Sequence, residues 1–264
     1  MRTPLVVANW KMHGGLGEAR TLAQAVRDGL KRLRGADVVL CPPFTALGAV
    51  GAILSGSPIA LGAQNCHWEA SGAFTGEVSP AMLADLGCRA VIVGHSERRR
   101  EFGESDAQVN RKVHAALAHG LTPILCVGET DAERRKGLTY PVVEGQLRAG
   151  LAGLTAEAVG RCVVAYEPVW AIGTGVNASP AQAAEVHGYL RGLLSELTSK
   201  ELAQNARILY GGSVKPENVG PLISEPEIDG ALVGGSSLQG QAFVAIVRKT
   251  VAKGREAGGG AGDQ

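Results

Sequence analysis

A single-domain α/β fold, an eight-stranded parallel (β/α)8 barrel, is what this 264-residue sequence predicts. Three observations carry that expectation. Eight short runs rich in Val, Ile, Leu and Ala recur along the chain, they alternate with stretches of helical periodicity, and 264/8 = 33 residues are available per unit, near the roughly 30 that one β-α-β crossover needs. Each run is almost continuously apolar, which suits strands covered on both faces by helices rather than strands with one wet face. Eight such crossovers close most simply into a barrel. An open doubly wound sheet is the structural rival, but no run is followed by the G-x-G-x-x-G turn of its nucleotide-binding forms.

In chain order the strand candidates are "PLVVANW", "ADVVLC", "PIALGAQ", "RAVIVGH", "LTPILCVGE", "RCVVAYE", "RILYGG" and "DGALVGG". Between them "LGEARTLAQAVRDGLKRL", "DAQVNRKVHAALAHG", "PAQAAEVHGYLRGLLSELT" and "LQGQAFVAIVRKTVAKG" place apolar residues at three- and four-residue spacings, the stripe of an amphipathic helix. Ser179 with Gln182 and Ser105 with Gln108 form capping boxes, and Ser79-Pro80 starts a further helix. The barrel domain is expected over residues 1–253. The tail 254–264, "GREAGGGAGDQ" from Gly254, has nothing to bury and is expected to be disordered.

Composition narrows the partners. Basic and acidic residues nearly cancel, 26 against 25, so no global field recruits nucleic acid or an anionic membrane. The N-terminal apolar run is broken by Asn9 and Lys11 before it reaches the length of a signal or a span, and a cytoplasmic protein is expected. The five cysteines are scattered with no C-x-x-C pair, and the six histidines show no H-E-x-x-H, so neither a disulfide framework nor a metal site is expected.

In a barrel the ligand site lies at the carboxyl ends of the strands. Strand one ends in Asn9 and Lys11, strand four in His95 and strand six in Glu167. By strict alternation Val91, Val93 and His95 share one side, as do Val163, Ala165 and Glu167, and all four polar side chains are expected at one mouth. Each alone reads as well as a solvated lysine, a bonded core histidine or a helix-start acid. Together they are the inventory for proton transfer beside a carbonyl. Strands seven and eight end in "YGGSV" and "VGGSS", where the backbone around Gly212, Ser213, Gly234 and Gly235 is suited to cradling an anion. After Glu167, "PVWAIGTG" reads as an apolar lid with Gly173 and Gly175 as bending points. The long stretch Gln64 to Pro80, with Trp68 and Phe74, reads as an interface loop. "ERRRE" around Arg99 reads as a solvated, self-paired charge cluster.

The set "ANWKM", "CPPFTAL", "GAQN", "TGEVSP", "VGHSERR", "FGE", "YEPVWAIGTG", "YGGSV" and "LVGGSSL" resembles the triosephosphate isomerase family in order and spacing up to about Lys253. The resemblance implies a TIM barrel, no cofactor, and interconversion of dihydroxyacetone phosphate with D-glyceraldehyde 3-phosphate in glycolysis and gluconeogenesis. It implies that Glu167 is the base, His95 the electrophile and Lys11 the source of positive charge, with Asn9 positioning the substrate. Gly173, Ser213, Gly234 and Gly235 would hold the phosphate, and Glu97 and Gly212 would support the site. It further implies a homodimer in which Thr75 approaches the partner's site. His13 stands where the family commonly has Asn, and Val176 where Lys is frequent.

Overall fold

Every strand pairs with the next in parallel, and the last returns to the first, closing a barrel in the order β1 to β8. The computed structural model describes residues 2–172 and 178–258, apart from the side chains of 253–258. The strands are β1 (Leu5–Asn9), β2 (Asp37–Cys41), β3 (Ile59–Ala63), β4 (Ala90–Val93), β5 (Thr122–Val127), β6 (Val163–Tyr166), β7 (Ile208–Tyr210) and β8 (Gly230–Val233). Around them lie α1 (Leu16–Leu30), α2 (Leu47–Leu54), α3 (Pro80–Asp85), α4 (Ser96–Phe102), α5 (Asp106–Ala118) and α6 (Asp131–Arg135). The ring is completed by α7 (Thr139–Leu151), α8 (Ala156–Gly160), α9 (Pro180–Leu197), α10 (Lys200–Asn205), α11 (Val219–Ile223) and α12 (Gly240–Gly258).

The near-continuous apolar runs are explained by two separate cores. Leu5, Val7, Val39, Cys41, Ala90, Ile92, Ile124, Cys126, Val163, Ala165, Leu209 and Leu232 fill the barrel interior. Their alternates, among them Val6, Ala8, Val38, Leu40, Val91, Val93, Val164 and Tyr166, pack under the helices. A strand buried on both faces has no polar side to show. All five cysteines are free and buried.

The capping signals hold at atomic level. Ser179 and Ser105 each accept the backbone N–H of the glutamine three residues on, and that glutamine returns a bond to the serine N–H. Ser79 accepts the Met82 N–H with Pro80 at the first helical position. The last helix runs past the Lys253 boundary expected from sequence, to Gly258, because an established helix extends by one backbone bond per residue even without apolar side chains to bury. Residues 259–264 lie outside the described set. No described helix is long and apolar enough to cross a membrane.

Candidate active site

At the carboxyl end of the strands a cavity of about 630 Å³ is lined by Asn9, Lys11, His95, Glu167, Gly212, Ser213, Gly234 and Gly235, among others. Each residue arrives there by a traceable route. Asn9 and Glu167 continue the inward faces Leu5–Val7 and Val163–Ala165. Gly211, at the end of β7, makes room for the acid: a Cβ there would lie 2.8 Å from Glu167 Cγ.

His95 reaches the mouth by a route different from the one the alternation suggested. Ala90 and Ile92 face the interior, whereas Val91 and Val93 face the helices. The pattern therefore fails for His95, and Gly94 supplies the reason. Its φ of +69° is a left-handed conformation that breaks the extended alternation and turns the following residue inward. Arg99 braces this bend by donating to the Gly94 carbonyl at 2.8 Å and to Asp106, so it is not part of a self-paired surface cluster. Arg98, likewise, pairs with buried Glu104. Only the exposed Arg100–Glu101 pair fits the sequence reading.

Lys11 is, among the described residues, the only non-glycine with a positive φ, at 53°, a conformation that costs about 1–3 kcal/mol and persists only when its surroundings impose it. The Lys11 N–H donates to Asn9 Oδ1 at 3.0 Å, and Gln64 Nε2 donates to the Lys11 carbonyl at 2.8 Å and to the Cys41 carbonyl at 2.9 Å. Gln64 thus fixes the lysine backbone from the loop that follows β3, a role its sequence position did not reveal. The Lys11 ammonium is paired with Glu97.

Glu167 is only 2% exposed. One carboxylate oxygen accepts the Ser96 N–H at 2.8 Å, at the start of α4, and the other lies 2.9 Å from His95 Nε2. Burial raises its pKa, but the charge and hydrogen bond of His95, the Ser96 N–H and Lys11 together hold it below the ordinary glutamate value. At His95 burial lowers the pKa, and Glu167, by charge and hydrogen bond, with Glu97 behind it, raises it further than burial lowers it. The start of α4 works against protonation, since Nδ1 accepts the Glu97 N–H at 3.2 Å. That bond requires an unprotonated Nδ1, so we assign a neutral ring carrying its proton on Nε2, facing the ionised Glu167.

The segment after Glu167 is anchored before it leaves the described residues. Trp170, in a short 3-10 turn (Val169–Ala171), donates from Nε1 to Glu129 at 2.9 Å, and the Arg134 guanidinium lies 4.2 Å from its ring centroid. Glu129 is fully buried and also receives the Tyr166 hydroxyl, Thr139 and Arg134. Trp170 is therefore a docked residue at the root of the predicted lid. Gly173, Gly175 and Val176 lie outside the described residues. Thr75 is not among the residues lining this cavity and lies on an exposed stretch from Glu69 to Glu77. Among the described residues no group of three or more His, Cys, Asp or Glu is arranged to hold a metal ion.

The Triosephosphate isomerase family model matches residues 4–250. The chain belongs to the triosephosphate isomerase family. A family member from Chloroflexus aurantiacus is 55% identical over 247 residues, covering 94% of this chain and 99% of the relative. One from Herpetosiphon aurantiacus is 56% identical over 248 residues, with the same coverages. The crystal structure of triosephosphate isomerase from Bartonella henselae superposes with a TM-score of 0.85 at 40% identity, covering 94% of this chain and 98% of that one. Triosephosphate isomerases are intramolecular aldose-ketose isomerases, and this chain is an enzyme of that class.

Proposed function

We propose that the enzyme interconverts dihydroxyacetone phosphate and D-glyceraldehyde 3-phosphate in the cytoplasm, as a step of glycolysis and gluconeogenesis, by moving one proton between adjacent carbons through an enediolate. The observation that carries this reading is the meeting of Glu167, His95 and Lys11 with the Ser213 and Gly234–Gly235 loops in one cavity.

The ionised Glu167 takes a proton from the carbon next to the carbonyl. The C–H electron pair becomes the carbon–carbon double bond, and the carbonyl π pair moves onto oxygen. That developing oxyanion meets the Nε2–H of neutral His95 and the ammonium of Lys11, donors fixed in place before the reaction starts. Glu167 then returns the proton to the neighbouring carbon while His95 relays a proton between the two oxygens. The sequence is redox-neutral and needs no electron carrier. In the present geometry Glu167 is held by Ser96 and His95, so substrate entry requires it to leave both donors, which frees the imidazole N–H for the substrate oxygen.

The exposed apolar side chains support a second element of this reading. Met12, Phe44, Phe74, Met82 and Phe102 follow β1 to β4 and remain open to solvent in the isolated chain, as does the Thr75 loop. Large apolar side chains left open after four successive strands suit burial against another copy, and we assign a homodimer.

The catalytic reading is tested with purified protein in excess chelator and without nucleotide. Interconversion of the two triose phosphates is expected at full rate. Absence of turnover under these conditions, or a strict requirement for an added ion or nucleotide, contradicts it.

A further inference from the structure

The anion cradle is made of two glycine-rich loops, and glycines alone do not fix a loop. What fixes them is visible outside the glycines. Asn218 donates from Nδ2 to the Ser213 carbonyl at 2.9 Å and accepts the Lys215 N–H at Oδ1 at 2.8 Å. Ser236, on the neighbouring loop, donates from Oγ to the Val214 carbonyl at 2.7 Å. The two peptide units on either side of Val214 are therefore gripped by two side chains, one from each side of the gap between β7 and β8. Two more bonds extend the belt. Lys249 of α12 donates to the Pro216 carbonyl at 2.6 Å, and buried Ser237 donates to the Asn9 carbonyl at 3.4 Å. The peptide just before the gripped ones presents the Ser213 N–H, which has no protein acceptor among the described residues.

We propose that Asn218 and Ser236 are positioning residues for the anion site. They hold the loop after β7 against the loop after β8, so that the Ser213 N–H and the backbone of Gly234 and Gly235 converge on one phosphate group without ordering on arrival. The inference rests on the functional reading above, because it takes the ligand to be the phosphate of a triose phosphate. Its physical basis is preorganisation: a donor already in place loses less freedom when the ligand binds. Because Asn218 and Ser236 act through the loop backbone, the effect of removing them is confined to the phosphate end of the substrate.

Ser236→Ala, Asn218→Ala and Ser236→Thr, the last keeping the hydroxyl, test this. Three readouts are needed: KM and kcat with D-glyceraldehyde 3-phosphate, kcat/KM with phosphate-free D-glyceraldehyde, and the Kd of inorganic phosphate by calorimetry. Each alanine variant is expected to raise KM and the phosphate Kd together by up to about tenfold, the scale of one lost hydrogen bond. Turnover of D-glyceraldehyde should be unchanged, and Ser236→Thr should restore phosphate affinity. An unaltered phosphate Kd in both alanine variants overturns the proposal. So does an equal loss with the phosphate-free substrate, which would indicate general damage, or a wild-type enzyme that binds no phosphate. Failure of the functional reading looks different: the wild type would bind phosphate yet turn over neither substrate, and calorimetry on the variants would still decide the role of the loops.

Discussion

Glu167 and His187 are both buried, and their surroundings fix opposite charge states. Glu167 is kept ionised by donors aimed at it. His187, fully buried on α9 with its edge towards Tyr166, is driven by burial to a pKa of about 3, although its Nδ1 lies 3.2 Å from the Glu227 carbonyl; neighbouring Arg191 pushes the same way as burial. The sign of the consequence follows from which state binds protons. Between the ordinary value of 6.5 and about 3 the unfolded chain protonates His187 and the folded chain does not. Stability attributable to this residue is therefore complete above pH 6.5 and is lost as pH falls towards 3, with a slope approaching ~1.4 kcal/mol per pH unit. In His187→Gln, which keeps a polar side chain and cannot titrate, denaturant unfolding at a series of pH values between 6.5 and 4 should show a shallower slope than wild type by up to that amount. Equal slopes contradict the assignment of a neutral buried imidazole.

At the scale of elements, the site is a set of strand ends plus the turns that follow them. The root of the segment after β6 is held by Trp170, whose Nε1 reaches buried Glu129 while Arg134 covers the ring. Trp170→Phe keeps a ring for Arg134 and removes the donor. With Tyr166, Thr139 and Arg134 still on Glu129, the cost should be about 1 kcal/mol, read as a Tm lowered by roughly 2–4 °C and a reduced kcat/KM. A variant matching wild type in both shows that the bond does not hold this turn. These contacts also mark the limit of what the sequence made legible. The strands, the capping boxes at Ser105 and Ser179 and the inward course of Asn9 and Glu167 follow from local pattern, because period and cap chemistry are properties of neighbouring residues. The inward turn of His95 depends on the left-handed Gly94, which alternation does not encode. The roles of Gln64, Ser96, Arg99 and Glu129 depend on partners in other elements. Helices as short as α6, α8 and α10, at five or six residues, carry too few turns for a periodic signal.

For the whole molecule, closing eight strands brings residues 11, 95, 167, 213 and 234, far apart in sequence, into one cavity. The isolated chain leaves large apolar side chains in solvent, with Met12 94% and Phe102 69% exposed. Sedimentation velocity is expected to report a dimer mass at micromolar concentration, and charged substitutions at Met12 and Phe102 together should shift it towards the monomer; a wild-type monomer at all concentrations contradicts the assignment. The central claim, that Glu167 moves the proton in a site assembled independently of it, is tested most directly by kcat in Glu167→Ala, with circular dichroism and inorganic phosphate affinity measured on the same sample. We predict a loss in kcat of at least about 10²–10⁴-fold, with spectrum and phosphate Kd unchanged. Turnover within tenfold of wild type in that folded, phosphate-binding variant would contradict the account.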